Sequence, residues 1–186
     1  AMSPSETTYF DTSVAAHAKH RIAWLLILMF SSTITGSIIT KYKNAFAAIP
    51  LLVSFIPMLM DTGGNCGSQS STLIIRGIAL GEIRFSDLFR VMFKEFRVSL
   101  IVGVVLALAN GLRILIMYRN AGLALVIGLS LVATVIISKL IGCLLPLFAK
   151  KLHMDPAIMA SPLITTLVDT CSILIYFNIA TRIFQL

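Results

Sequence analysis

Five long apolar segments separated by short polar stretches dominate the chain. They cover residues 22–40, 45–80, 98–118, 123–148 and 156–182. As a helix, each is long enough to cross the hydrocarbon core of a bilayer, which is about 30 Å thick. The pattern predicts an all-α integral membrane protein with five transmembrane helices in one domain.

The second segment differs from the others because a run of small and polar residues interrupts it. The run reads D-T-G-G-N-C-G-S-Q-S-S-T, from Asp61 to Thr72. As one helix, 45–80 would be about 54 Å long, which exceeds the hydrocarbon core. An irregular backbone at that depth must be buried in protein or line a watery cavity. We predict a break at 61–67 beside an ion or substrate path; close helix packing of the small residues is the alternative.

Two charged stretches lie between the predicted spans. Residues 81–97 alternate apolar and charged positions at helical spacing, which is typical of an interfacial amphipathic helix or of the wet start of the third span. Asp155 and Pro156 have the residue types of a helix start and open the fifth segment. Lys and Arg are more numerous on the side of the N-terminus, so we expect a cytoplasmic N-terminus and an external C-terminus in the plasma membrane.

The composition excludes several classes of protein. Hydrophobic residues make up 58% of the chain and charged residues 12%, about half the charged fraction of a soluble domain. The net charge of +7 follows membrane topology and forms no nucleic-acid patch. The cysteines and histidines are scattered, so neither a disulfide framework nor a zinc site is expected. No nucleophile–base set indicates an enzyme.

Asp61 and Asp169 are the acidic residues that the pattern places within spans, where ionisable groups are costly and usually face a cavity or a partner. Ser161, Thr165 and Asp169 lie on one face of the fifth helix, which is typical of a pore wall. Asp169 could instead pair with Lys139 or bond to the second span. Asp61 could cap a half-helix after the break or contact an ion. Lys139 is expected to snorkel or to form a structural pair.

Two motifs resemble a known family. Residues 57–79 read P-M-L-M-D-T-G-G-N-C-G-S-Q-S-S-T-L-I-I-R-G-I-A, and residues 155–169 read D-P-A-I-M-A-S-P-L-I-T-T-L-V-D. Both are similar to signatures of the MgtE family of magnesium channels. With the number of spans, the resemblance covers nearly the whole chain.

The resemblance implies a homodimer whose pore, at or near the two-fold axis, is formed by the second and fifth helices. It places the magnesium-binding aspartate at Asp169, with Thr165 one turn before it. Where the family usually has Asn before Pro, this chain has Ser161, which we expect to line the pore. The family motif also assigns pore-facing positions at the break: Gly63, Gly64, Asn65 and Ser68.

The resemblance implies passive conduction of Mg²⁺ into the cytoplasm, with Mn²⁺ and other divalent ions as further candidates. A proton- or ion-coupled secondary transporter is the main alternative, and a membrane assembly protein is a third. The family also has a cytoplasmic regulatory region with an acidic domain and paired CBS domains, which has no counterpart in this sequence. We therefore expect residues 1–21 to follow such a region and residues 22–186 to form the pore domain.

Overall fold

A computed structural model of the chain describes residues 13–159 and 161–185, and within those ranges it is helical without β-strands. The α-helices are α1 Val14–Lys41, α2 Lys43–Ala48, α3 Ile56–Ala79, α4 Leu88–Tyr118, α5 Ala121–Lys151 and α6 Ser161–Phe184. Short 3-10 helices lie between them at Pro50–Phe55, Phe85–Asp87 and Pro156–Met159. The predicted all-α class is confirmed. Residues 1–12, most of the segment predicted for 1–21, lie outside the described residues.

Apolar helices of spanning length dominate the fold. Among the described residues, α1, α4, α5 and α6 are long and apolar enough to cross a membrane. Helix α3 has 24 residues, so its length of about 36 Å also suffices, but it contains the run of small and polar residues. The fold is that of a membrane protein, and the count of five spans stays a prediction that depends on α3.

Helix α3 continues unbroken through the small and polar residues, so the predicted break at 61–67 is wrong. The hypothesis that Asp61 caps a half-helix is also wrong, because Asp61 lies inside α3. The irregular backbone lies earlier. Ile49 is extended, with φ −135° and ψ 82°, and Pro50 opens a 3-10 helix. A proline pushes the residue before it away from helical dihedrals, which explains this position.

A buried tyrosine links the 3-10 helix Pro50–Phe55 to α6. The Tyr176 hydroxyl donates a hydrogen bond of 2.8 Å to the carbonyl oxygen of Leu52, and both side chains are fully buried. The phenol thus has a partner inside an apolar cluster that also contains Leu59 and Phe177. This contact fixes the start of α3 relative to α6.

The starts of the third and fifth segments agree partly with expectation. The stretch 81–97 does not form a separate helix, because the single turn Phe85–Asp87 leads directly into α4; this agrees with the expectation that it begins the third predicted span. The carboxylate of Asp155 accepts a hydrogen bond of 2.9 Å from the backbone N–H of Ala157. That bond caps the short 3-10 helix and not the long one, which begins at Ser161.

Helix α5 lies at the centre of the bundle and packs against α3, α4 and α6. Helix α1 packs against α6, where the hydroxyls of Thr35 and Thr170 lie 2.8 Å apart and share a hydrogen bond. Most large apolar side chains of α1 are exposed, as expected for a helix whose outer surface contacts lipid. The arrangement leaves one side of α3 uncovered.

Glu95 of α4 and Lys139 of α5 form an ion pair inside the bundle, and Ser70 of α3 joins them. The Lys139 Nζ atom lies 3.8 Å from Glu95 Oε2, and the two side chains are 6% and 11% exposed. The Ser70 hydroxyl donates to Glu95 Oε2 at 2.6 Å and accepts from Lys139 Nζ at 3.2 Å. The structural pairing of Lys139 is confirmed, and its pairing with Asp169 is wrong. Glu95, which the pattern placed at a segment end, is the partner.

We expect that removing either charge of this pair strands the other inside the bundle, at a cost of about 3 to 5 kcal/mol. Lys139→Met or Glu95→Gln alone should therefore lower the midpoint of thermal unfolding in detergent, and the double variant should be closer to the parent than Lys139→Met alone. Lys94→Met, an exposed lysine on the same helix as Glu95, is the matched control. A midpoint for Lys139→Met equal to that of the control would contradict the assignment.

Candidate functional site

A groove opens on the outer surface of the protein where α3 lies beside α6. Its volume is about 430 Å³, and its lining residues are Pro57, Met60, Asp61, Gly64, Asn65, Thr165 and Asp169. Asp61 is exposed and Asp169 is half-buried. The two aspartates that the sequence pattern placed within spans therefore line the same groove.

A second groove continues along α3. Its volume is about 650 Å³, and its lining residues are Asn65, Ser68, Gln69, Thr72 and Leu73. Asn65 lines both grooves, so the polar lining is continuous. The Thr72 hydroxyl donates to the backbone oxygen of Ser68 at 2.9 Å, and its oxygen retains lone pairs for a cation or for water.

The polar side chains of the two grooves follow the periodicity of α3. Asp61, Asn65, Ser68, Gln69 and Thr72 are three or four positions apart, so a continuous helix presents them along one face. Gln69 and Thr72 were not among the predicted site residues, which along α3 followed the motif positions Gly63, Gly64, Asn65 and Ser68. Helical spacing of the polar residues was the signal that could have identified them.

The glycines of α3 bring its opposite face close to α5 and α6. A Cβ atom added to Gly63 would lie 2.7 Å from Val168 Cγ1, and one added to Gly67 would lie 2.7 Å from Ile164 Cγ2. Gly142 of α5 lies directly against the carbonyl group of Gly67. Only residues without a side chain permit this approach. The packing alternative is thus correct for these glycines, while the polar side chains between them face the grooves.

Gly64 has a separate contact at the edge of the first groove. A Cβ atom there would lie 2.9 Å from Thr165 Cγ2, so the absence of a side chain lets Thr165 lie next to the backbone of α3. The Thr165 hydroxyl donates to the backbone oxygen of Pro162 at 3.0 Å. Its donor is used within α6, and its oxygen can still accept a hydrogen bond or face a cation.

The structure brings most of the predicted site residues to the grooves. Those in the first groove are Gly64, Asn65, Thr165 and Asp169. Ser68 lies in the second groove. Gly63 is buried against α5 and α6. Ser161 begins α6, and its side chain lies outside the described part of the structure. The metal-binding and pore-lining roles of these residues stay predictions.

The first groove offers carboxylate, amide and hydroxyl oxygens, which are ligands for hard cations. In the described part of the chain, no group of three or more His, Cys, Asp or Glu side chains is placed to hold a metal ion. Two carboxylates with neutral oxygens in the same groove suit a hard cation that keeps several of its own waters. Six waters of about 30 Å³ each occupy on the order of 180 Å³, which the groove can contain.

The four apolar helices of spanning length that the structure describes, with an oxygen-lined groove between α6 and the more polar α3, define a helical membrane protein with a site whose ligands suit a hard cation. Comparison with known proteins agrees with this class. Residues 56–179 match the family described as MgtE, divalent cation transporter. The chain belongs to the MgtE family of divalent cation transporters.

Three curated relatives are each named magnesium transporter MgtE. The protein of Bacillus subtilis (strain 168) is 40% identical over 172 residues, which is 92% of this chain and 38% of the relative. That of Thermus thermophilus is 34% identical over 97% of this chain and 40% of its own length. That of Enterococcus faecalis is 34% identical over 88% of this chain and 36% of its own length. The chain thus spans well under half the length of the curated relatives it matches.

We expect Gly67→Ala to destabilise the protein by about 1 to 3 kcal/mol, because the added methyl group overpacks the contact of α3 with α6 and α5. Gly111→Ala on α4 is the matched control, since nothing lies within 4 Å of the position of its Cβ atom. That control should be neutral or slightly stabilising, as alanine favours helix. Thermal unfolding in detergent measures both. Equal midpoints would show that α3 does not need the close approach.

Proposed function

We propose that this chain is the pore domain of a passive magnesium channel, conducting Mg²⁺ into the cytoplasm between α3 and α6. Membership of a divalent cation transporter family and relatives named magnesium transporters support the cargo. The relatives are much longer than this chain, so the channel mode and the ion are our proposals. We take residues 22–186 as the pore domain, with the N-terminus on the cytoplasmic side.

The continuous polar lining of the two grooves is the observation that supports this function most strongly. Asp61, Asn65, Gln69 and Thr72 are exposed along a helix of about 36 Å, enough to cross the hydrocarbon core. Such side chains are costly against lipid tails and favourable against water or a cation. The polar face runs from Asp61 to Thr72, about 17 Å of the helix, and over that length it is suited to form the wall of an ion path.

Asp169 and Asp61 supply the negative charge of the proposed site. Mg²⁺ dehydrates reluctantly and usually keeps several waters, so we assign the carboxylates contacts to the water shell as well as to the ion. Thr165 and Asn65, which line the same groove, contribute neutral oxygens, and Ser161 lies one turn before Thr165 in α6. Gly63 has a packing role in this proposal, and Gly64 allows the approach of α6. Mn²⁺ is a second candidate ion, because oxygen ligands also suit it.

A second copy of the chain would cover the grooves. In a single copy the polar face of α3 is open to the surroundings, and hydrocarbon offers it no partners. A two-fold axis alongside α3 and α6 would place two such faces opposite each other and enclose a polar path. The proposed assembly is therefore a homodimer whose pore lies at or near that axis.

A proton- or ion-coupled secondary transporter is the second candidate, and the buried Glu95–Lys139 pair favours it. Ionisable groups inside a membrane protein are common in proton relays. Proteoliposomes with equal pH on both sides separate the two functions. A channel passes Mg²⁺ down its own gradient and shows single-channel currents. A proton ionophore, which removes any pH difference and carries the compensating charge, does not abolish its flux. Flux that requires an imposed proton gradient would identify the transporter.

We expect Asp169→Asn to assemble normally and to lose Mg²⁺ affinity by about tenfold or more. A carboxylate 4 Å from a divalent ion contributes about 2 kcal/mol even in bulk water, and the substitution removes that charge. Asp169→Glu should also weaken binding, because the longer side chain crowds the groove, and Ser161→Ala should have a small effect. Mg²⁺ binding and flux in proteoliposomes measure all three.

Asn178→Ala is the control for these variants. Asn178 is an exposed polar residue of α6 whose amide donates to the backbone oxygen of Leu174 at 2.7 Å, and it lines neither groove. Its flux should match that of the parent chain. Parent-like flux and Mg²⁺-over-Na⁺ selectivity in Asp169→Asn would show that Asp169 is structural and would remove the proposed site.

We expect a single cysteine at Asn65 to cross-link between two copies in the membrane. If the grooves face each other across a two-fold axis, Asn65→Cys lies near its symmetry mate, whereas Ile101→Cys, exposed on α4, does not. The native cysteines are first replaced by alanine. Oxidation followed by gel electrophoresis should give a dimer of the first variant only. Equal cross-linking of both variants would point to random collision, and cross-linking of neither would argue against the proposed interface.

A further inference from the structure

A basic groove lies on α4, away from the proposed ion path. Its lining residues are Arg90, Phe93, Lys94, Arg97, Val98 and Ile101, and its volume is about 420 Å³. All six residues are exposed. They are spaced three or four positions apart, so they form one face of the helix. The buried residues Glu95, Ser99 and Gly103 lie on the opposite face, so the basic groove points away from the bundle.

The position of the basic groove along α4 corresponds to the headgroup layer of a bilayer. Helix α4 has 31 residues, about 46 Å, whereas the hydrocarbon core is about 30 Å thick. If Tyr118 marks one interface, about 20 residues bring the helix to the other interface near Val98. The three cations then lie among the headgroups, and Val98 and Ile101 lie at the start of the acyl chains. Phe93 at this level fits the aromatic belt of membrane proteins.

Within the described residues, the three cations have no carboxylate within salt-bridge distance. The single salt bridge in that part of the chain joins Lys139 to Glu95, so Glu95 is already neutralised although it lies on the same turn as Lys94. The guanidinium of Arg97 lies 5.9 Å from the ring centre of Phe93, which orients it over an apolar surface. The basic groove therefore combines positive charge, uncompensated by acidic side chains, with an apolar floor.

We propose that the basic groove binds one anionic phospholipid. The phosphate of the lipid lies among Arg90, Lys94 and Arg97, and an acyl chain follows the exposed apolar face of α4 that continues from Ile101 to Val105 and Leu108. Those three apolar residues are 69%, 59% and 69% exposed. A free anion would use the cations alone. A diacyl lipid uses both parts of the surface, which is why we assign a lipid. Basic pockets at this level are common sites for anionic headgroups.

The test is native mass spectrometry of the full chain in nonionic detergent with phosphatidylglycerol or phosphatidylcholine. The parent should retain more phosphatidylglycerol than phosphatidylcholine. The triple variant Arg90→Gln, Lys94→Gln, Arg97→Gln should lose that affinity by about tenfold or more, because each basic residue near an anionic headgroup strengthens binding. The matched control is Lys41→Gln, Lys43→Gln, Arg182→Gln, which removes three exposed cations elsewhere and should bind as the parent does.

Further competition experiments distinguish a lipid site from a site for free phosphate or for an acidic peptide. Inorganic phosphate and a soluble polyglutamate peptide should not displace the lipid, and a dihexanoyl phosphatidylglycerol should bind more weakly than the long-chain lipid. Displacement by phosphate would show a simple anion site, and displacement by polyglutamate would show a docking surface for an acidic protein segment. Either result, or equal loss in the control variant, would overturn the proposal. If the triple variant does not fold, Arg97→Gln alone should still weaken binding several-fold.

Discussion

The structure depends on one constraint: a helix that crosses hydrocarbon cannot leave polar side chains against lipid without a large cost. In the proposed arrangement α3 crosses the bilayer and has to meet this constraint on two sides. Its glycines let one face lie directly against α5 and α6, so the packing of α3 needs no large apolar side chains there. Its other face presents amide, hydroxyl and carboxylate groups to the two grooves. The close packing behind α3 and the polar path in front of it are therefore two consequences of the same residues.

The polar network of Ser70, Glu95 and Lys139 fixes the rotation of α3 relative to its neighbours more narrowly than apolar packing does. Apolar contacts between helices tolerate small rotations, whereas hydrogen bonds of 2.6 and 3.2 Å specify one orientation of α3 relative to α4 and α5. Ser70 lies on the buried side of α3, although its near neighbours in sequence, Gln69 and Thr72, face the second groove. We infer that the network helps to set which side chains of α3 face outward, as buried polar groups do in other helical assemblies.

The sequence pattern was sufficient for the helical class, for the apolar segments and for placing Asp61 and Asp169 within them; that the two aspartates line one groove came from the structure. The pattern wrongly predicted a break at the glycines, because glycine disfavours a helix by propensity. The close contacts with α5 and α6 that stabilise the helix there involve residues far away in the sequence. The pattern placed Glu95 outside the spans because Glu95 belongs to the charged stretch 81–97. Lys139, the partner of Glu95, lies in another helix, and local composition does not report such a pair.

The central claim is that the polar face of α3 is in contact with water and cations inside the membrane. In a cysteine-free background, single cysteines at Gln69 and at Leu108 test it through their reaction rates with a membrane-impermeant methanethiosulfonate reagent in liposomes. We expect that the cysteine at Gln69 reacts, that Mg²⁺ slows this reaction, and that the cysteine at Leu108, on the exposed apolar face of α4, does not react. Equal, Mg²⁺-independent rates at the two positions would contradict the account.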